Sequence, residues 1–133
     1  MKNIYARPFL KWAGGKGQLL QRIQDNAPLE LGEGKIKTYV EPFIGGGAVF
    51  FELNKKYDFD KIILNDYNVE LIIAYKTIRD NVDELILHLT ELEKSFLSKE
   101  KDGREEMFYN IRKEFNEEKK NVDYSEVSKE IIK

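Results

Sequence analysis

Lys37-Thr38-Tyr39-Val40-Glu41-Pro42-Phe43-Ile44-Gly45-Gly46-Gly47-Ala48-Val49-Phe50-Phe51-Glu52-Leu53-Asn54 is the stretch from which the fold of this chain is read. Residues 37–41 are short, rich in β-formers and followed by Pro42, which predicts a strand. The three glycines at 45–47 predict a turn, and residues 48–54 a buried helix. Lys61-Ile62-Ile63-Leu64-Asn65 predicts a second strand. A strand, a glycine turn, a helix and a second strand within about 30 residues make a βαβ unit, which implies a parallel sheet with a right-handed crossover. Asn68 to Arg79 reads as a further helix.

Beyond that unit the pattern changes. Val82, Leu85, Ile86, Leu89, Leu92 and Phe96 recur at helical spacing, and Met107, Phe108, Ile111 and Phe115 repeat it. Gly103 between the two runs reads as a breaker or a start signal. Eight of the nine glycines and all three prolines lie within residues 1–80, whereas residues 91–133 hold 22 charged residues out of 43, as helices with solvated faces do. Two parts are expected: an α/β part over residues 1–80 and a helical part over residues 81–133. Ser125 to Lys133 begins like a helix and stops, with Ile131 and Ile132 near the end, so the chain reads as cut rather than finished.

Composition excludes several classes. The chain has 133 residues, enough for one domain with a modest core. Aromatic residues make up 12%, too many for a disordered tail. With 22 Lys+Arg against 24 Asp+Glu the net charge is -2, unlike a strongly basic nucleic-acid module. The absence of cysteine removes disulfide scaffolds, thiolate metal sites and thiol catalysis. His88 is the lone histidine, on the edge of an amphipathic helix, and is assigned no role. There is no run of about 18 apolar residues to span a membrane. Residues 1–10 lack the apolar core of a signal peptide, so a cytoplasmic location is expected.

Two motifs could carry chemistry. Phe43-Ile44-Gly45-Gly46-Gly47 sits between a strand and a helix, where glycines admit positive φ and close approach of a ligand, and helix-start amides favour a polar or negative group. Asp66 ends the next strand, 21 residues after Gly45, where a carboxylate can accept hydrogen bonds from both hydroxyls of a ribose. Together they signal a nucleoside cofactor. The same pair also occurs as a plain tight turn with a strand-end aspartate capping the next helix. Phe50 occupies the place of the third glycine of the dinucleotide pattern and argues against a nicotinamide cofactor.

The second motif is Phe9-Leu10-Lys11-Trp12-Ala13-Gly14-Gly15-Lys16-Gly17. Leu10 and Gly17 stand where a phosphate-binding P-loop needs glycine and Ser/Thr, so that reading fails. What remains is a basic loop: residues 1–20 carry Lys2, Arg7, Lys11 and Lys16 and no acidic residue. Lys16 could hold a carboxylate or phosphate, and Trp12 could stack or pack. Tyr109, Asn110, Arg112 and Lys113 lie on the last helical run and could meet phosphates or bases, although on pattern alone a charged amphipathic helix is the favoured account of them.

Taken in order, these segments resemble the Dam-type (D12 class) adenine-specific DNA methyltransferases. Residues 9–16 are similar to the family's N-terminal cofactor motif, residues 40–50 to its glycine-rich motif, residues 64–72 to its second-strand acidic motif, and residues 109–116 to the start of its DNA-recognition region. The resemblance implies a Rossmann-like methyltransferase sheet, S-adenosyl-L-methionine as cofactor, and methyl transfer to the N6 of adenine in duplex DNA, with the base flipped out of the helix. It places Trp12 and Lys16 at the methionine end of the cofactor, Phe43, Gly45 and Gly47 along it, and Asp66 at its ribose. Lys11, Tyr109, Asn110 and Arg112 would face DNA.

One departure is large. The family's Asp-Pro-Pro-Tyr tetrapeptide has no counterpart, because the prolines stand at 8, 28 and 42 and none is adjacent to another. The expectation is an N-terminal fragment, inactive alone because amine and methyl donor cannot be aligned, with weak binding of cofactor and of DNA. Its partners would be the missing C-terminal portion and, through exposed edges, copies of itself. A non-catalytic nucleoside- or protein-binding module is the alternative.

Overall fold

The computed structural model describes residues 6–132; Lys2 and Lys133, named above, lie outside the described residues. The chain divides into two compact units. One comprises the sequence up to Ile72 together with the segment from Ser128; the other runs from Ile73 to Val127.

The first unit is mixed α/β. A 3₁₀ turn, Lys16–Leu19, leads into α1 (Leu20–Asp25), and α2 (Leu29–Gly32) precedes β1 (Thr38–Glu41). Then come α3 (Ala48–Lys56), β2 (Lys61–Asn65), the start of α4 (Val69–Asp80) and, last, β3 (Glu130–Ile132). The sheet order is β1-β2-β3. β1 and β2 run parallel, with Thr38 opposite Lys61 and Glu41 opposite Leu64, as the βαβ reading requires. The helix read at 48–54 extends to Lys56 and buries Val49 and Leu53, one turn apart, rather than its whole surface. In β2, Ile62 and Leu64 alternate inward and are buried at 6% and 5% exposure. Ile44, Leu71 and Ile72 complete this core. Burial of each such side chain is worth about 1.5–3 kcal/mol.

The end of the chain differs from the sequence expectation. Residues 130–132 form a strand, not a continuing helix, and pair antiparallel with β2, with Ile131 opposite Leu64. Ile131 is 4% exposed. The cause is non-local: β2 offers unpaired backbone groups along one side, and a β-branched pair can satisfy them while covering apolar surface.

In the second unit, α4 ends at Asp80 and is followed by α5 (Val82–Leu97), α6 (Lys101–Glu118) and a 3₁₀ turn, Lys119–Asn121. The helical spacing read in the sequence is borne out, yet neither α5 nor α6 buries a single residue. Gly103 falls in the first turn of α6 rather than between the helices. Arg104 closes α5 instead: its guanidinium donates to the carbonyls of Phe96 and Leu97, each at 3.1 Å, and lies over the Phe96 ring. Leu89, Leu92, Phe96, Met107, Ile111 and Phe115 line an apolar groove of about 500 Å³ between α5 and α6.

Candidate functional site

The loop between β1 and α3 is held down by the end of β2. The Ile44 amide donates to the Asn65 carbonyl at 2.9 Å, and the Gly45 amide donates to Asp66 Oδ2, also at 2.9 Å. Asp66 Oδ1 accepts the Asn68 amide at 2.9 Å. Asn68 Oδ1 in turn accepts the Leu71 amide at 3.1 Å and caps α4. Asp66 is thereby 9% exposed with both oxygens engaged. Gly45 has φ +52 and Gly47, which caps α3, has φ +77, conformations glycine adopts without steric cost.

The amino-terminal loop folds onto this glycine turn. A Cβ on Gly45 would lie 3.1 Å from Trp12 Cδ1, and one on Gly46 would lie 3.1 Å from the Leu10 carbonyl oxygen, so a side chain at either position would press on the amino-terminal loop. Trp12 keeps 40% of its surface exposed. Lys16, at the start of the 3₁₀ turn, reaches the end of β1. Its ammonium pairs with Glu41 Oε1 at 2.7 Å and donates to the Phe43 carbonyl. The Phe43 side chain is 67% exposed. Trp12, Lys16, Phe43, Gly45 and Asp66 thus lie in one continuous set of contacts, and Gly47 follows at the helix start.

Two further residues join this set, to which the sequence reading assigned no site role. Glu41 is 6% exposed, and its second oxygen, Oε2, accepts the Tyr39 hydroxyl at 2.7 Å. The Tyr39 ring is flanked by Phe59 and Phe50, with centroids 5.3 and 6.0 Å away. Burial, then the hydrogen bond to Glu41 and its charge, push the Tyr39 phenol far above its ordinary range. The available signal was positional: Tyr39 and Glu41 share one face of β1 at its C-terminal end, where open α/β sheets collect ligand-binding groups.

The residues read as facing DNA lie apart in the sequence and fall in different units. Lys11 is exposed in the amino-terminal loop. On α6, Tyr109 and Arg112 line a shallow depression of about 310 Å³ with Lys113, Asn116 and Glu117. Asn110 is exposed but does not line it. Among the described residues no cluster of side chains suits a metal ion, and no helix is long and apolar enough to cross a membrane.

Residues 12–132 match the family model for D12 class N6 adenine-specific DNA methyltransferases. The chain belongs to this family. Among curated relatives, the Type II methyltransferase M.MjaIII of Methanocaldococcus jannaschii is 50% identical over 117 residues, 88% of this chain and 40% of that protein. The Type II methyltransferase M1.LlaDCHI of Lactococcus lactis subsp. cremoris is 42% identical over 110 residues, 77% of this chain and 36% of its own length. The DNA adenine methylase of Escherichia coli is 38% identical over 110 residues, 83% of this chain and 34% of its own length. The chain therefore spans between a third and two fifths of the length of these relatives. No solved structure gives a significant match.

Proposed function

We propose that this chain carries the cofactor half of a DNA adenine-N6 methyltransferase, with S-adenosyl-L-methionine held on a Rossmann-like sheet. The observation that carries the reading is the convergence of Trp12, Lys16 and Asp66 on one glycine turn. The donor set suits the cofactor. A carboxylate offers about four acceptor sites, so Asp66 retains capacity for a ribose diol after taking two amides. An ammonium has three donors, and Lys16 directs two of them to Glu41 and the Phe43 carbonyl, leaving one for the ligand's carboxylate. The exposed faces of Trp12 and Phe43 provide apolar cover.

When bound, the cofactor supplies an electrophilic methyl group for the exocyclic amine of adenine. The residues here bind and orient; none of them receives the proton that amine must lose. The 133 residues contain no Asp-Pro-Pro-Tyr tetrapeptide, so turnover requires a further portion of the enzyme. Lys11, Tyr109, Asn110 and Arg112 are the positions that would meet duplex DNA, and the working enzyme would act on it in the cytoplasm. Isothermal calorimetry tests the cofactor site. Micromolar binding of S-adenosyl-L-methionine, lost in a folded Asp66→Ala chain, is the expected result; binding unchanged by that substitution would refute the assignment.

A further inference from the structure

We propose that Tyr39 is a positioning residue for the cofactor's carboxylate, acting through Glu41 on the Lys16 ammonium. The inference rests on the reading that Lys16 faces that carboxylate, and it adds two residues to the site.

A carboxylate as buried as Glu41 persists as an anion only if its oxygens are paired. Here each oxygen has one partner of different character: Lys16 on Oε1 and the Tyr39 hydroxyl on Oε2, both at 2.7 Å. Lysine is a poor orienting group by itself, being a compact charge on a flexible four-carbon stem. Glu41 and the Phe43 carbonyl together anchor its nitrogen from two sides, which settles where the remaining donor can act.

Glu41 can anchor Lys16 only if it cannot rotate, and Tyr39 prevents that rotation. Its ring is fixed between Phe50 and Phe59, so the hydroxyl stands at a set place on the face of β1. Phenylalanine at position 39 would keep the packing and remove the donor. Glu41 Oε2 would then lose its partner, and the carboxylate would be free to turn, releasing Lys16 from its fixed place.

The test compares two ligands. S-adenosylhomocysteine carries the amino-acid end, whereas 5′-methylthioadenosine has the same nucleoside and thioether without it. Calorimetry on the 133-residue chain is expected to show that Tyr39→Phe weakens S-adenosylhomocysteine about five-fold, the scale of one hydrogen bond, while methylthioadenosine binds as before. In a Lys16→Met background, Tyr39→Phe should have no further effect, because the group through which it acts is gone. Should Tyr39→Phe fail to fold, Glu41→Gln is measured instead: its one carbonyl oxygen can serve Lys16 or the Tyr39 hydroxyl but not both at their separate places, so the same ligand-selective loss is expected, and unchanged S-adenosylhomocysteine binding overturns the inference. Equal weakening of both ligands, or an effect of Tyr39→Phe that persists without Lys16, overturns the inference and leaves the cofactor site standing. If the native chain binds neither ligand, the proposed function falls and this inference with it.

Discussion

The indole of Trp12 lies so close to Gly45 that a methyl group on that glycine would sit 3.1 Å from its Cδ1. Gly45 also holds φ at +52, which is unfavourable for any residue with a side chain. Gly45→Ala should therefore destabilise the chain by about 1–2 kcal/mol through backbone strain, and displace the indole as well. Trp12 is the single tryptophan, so its emission reports the displacement directly. A red-shifted spectrum and a lowered Tm are expected; an unchanged spectrum would place the indole elsewhere.

Ile131 is 4% exposed although it lies in the last strand of the chain. If β3 completes the sheet, Ile131→Ala removes buried methyl groups from its edge strand and should cost ~2–4 kcal/mol in chemical denaturation. Ile132→Ala, at a residue half exposed, should cost far less. Equal and small effects from both substitutions would mean that the strand contributes nothing to stability.

Tyr39 makes stability depend on alkaline pH. Its phenol is raised in the folded chain, so the unfolded chain loses this proton first, near pH 10. The contribution is complete below that pH and declines above it, by up to about 1.4 kcal/mol per pH unit. Native protein should thus lose stability between about pH 10 and 12 faster than Tyr39→Phe, measured by urea unfolding at each pH. Parallel curves for the two proteins would contradict the buried hydrogen bond to Glu41.

The groove between α5 and α6 leaves Leu92 and Phe115 exposed at 42% and 51% among other apolar side chains. Such a strip favours association in water. Sedimentation of the 133-residue chain is expected to show a mass rising with concentration above 15.6 kDa, and Leu92→Glu to return it to that value. A native chain that stays monomeric at high concentration would refute this.

Much of the sheet and of the glycine loop was legible because it is written locally. β1, the glycine turn, α3 and β2 follow from adjacent residues, and the periodicity of Val82 to Phe96 forecasts α5 without reference to any partner. The remainder depends on contacts distant in sequence. Nothing in Ser128-Lys129-Glu130-Ile131-Ile132 alternates strongly enough to announce a strand; it becomes one because β2 has an unpaired side. Glu41 enters the sequence reading only as a strand and motif residue, and its pairing with Lys16, 25 residues earlier, is invisible there. Asp66 combines both cases. Its place was evident, but its two bonds to amides show that the carboxylate also builds the loop it was expected only to serve.

The pairing of β3 with β2 joins residues roughly 65 positions apart, with the entire helical unit emerging between them. At ordinary rates of translation that interval lasts several seconds. During this time one side of β2 stands bare on the nascent chain, open to any other extended segment. The three residues that finally cover it act as a latch, which can close only after β1 and β2 have long been made.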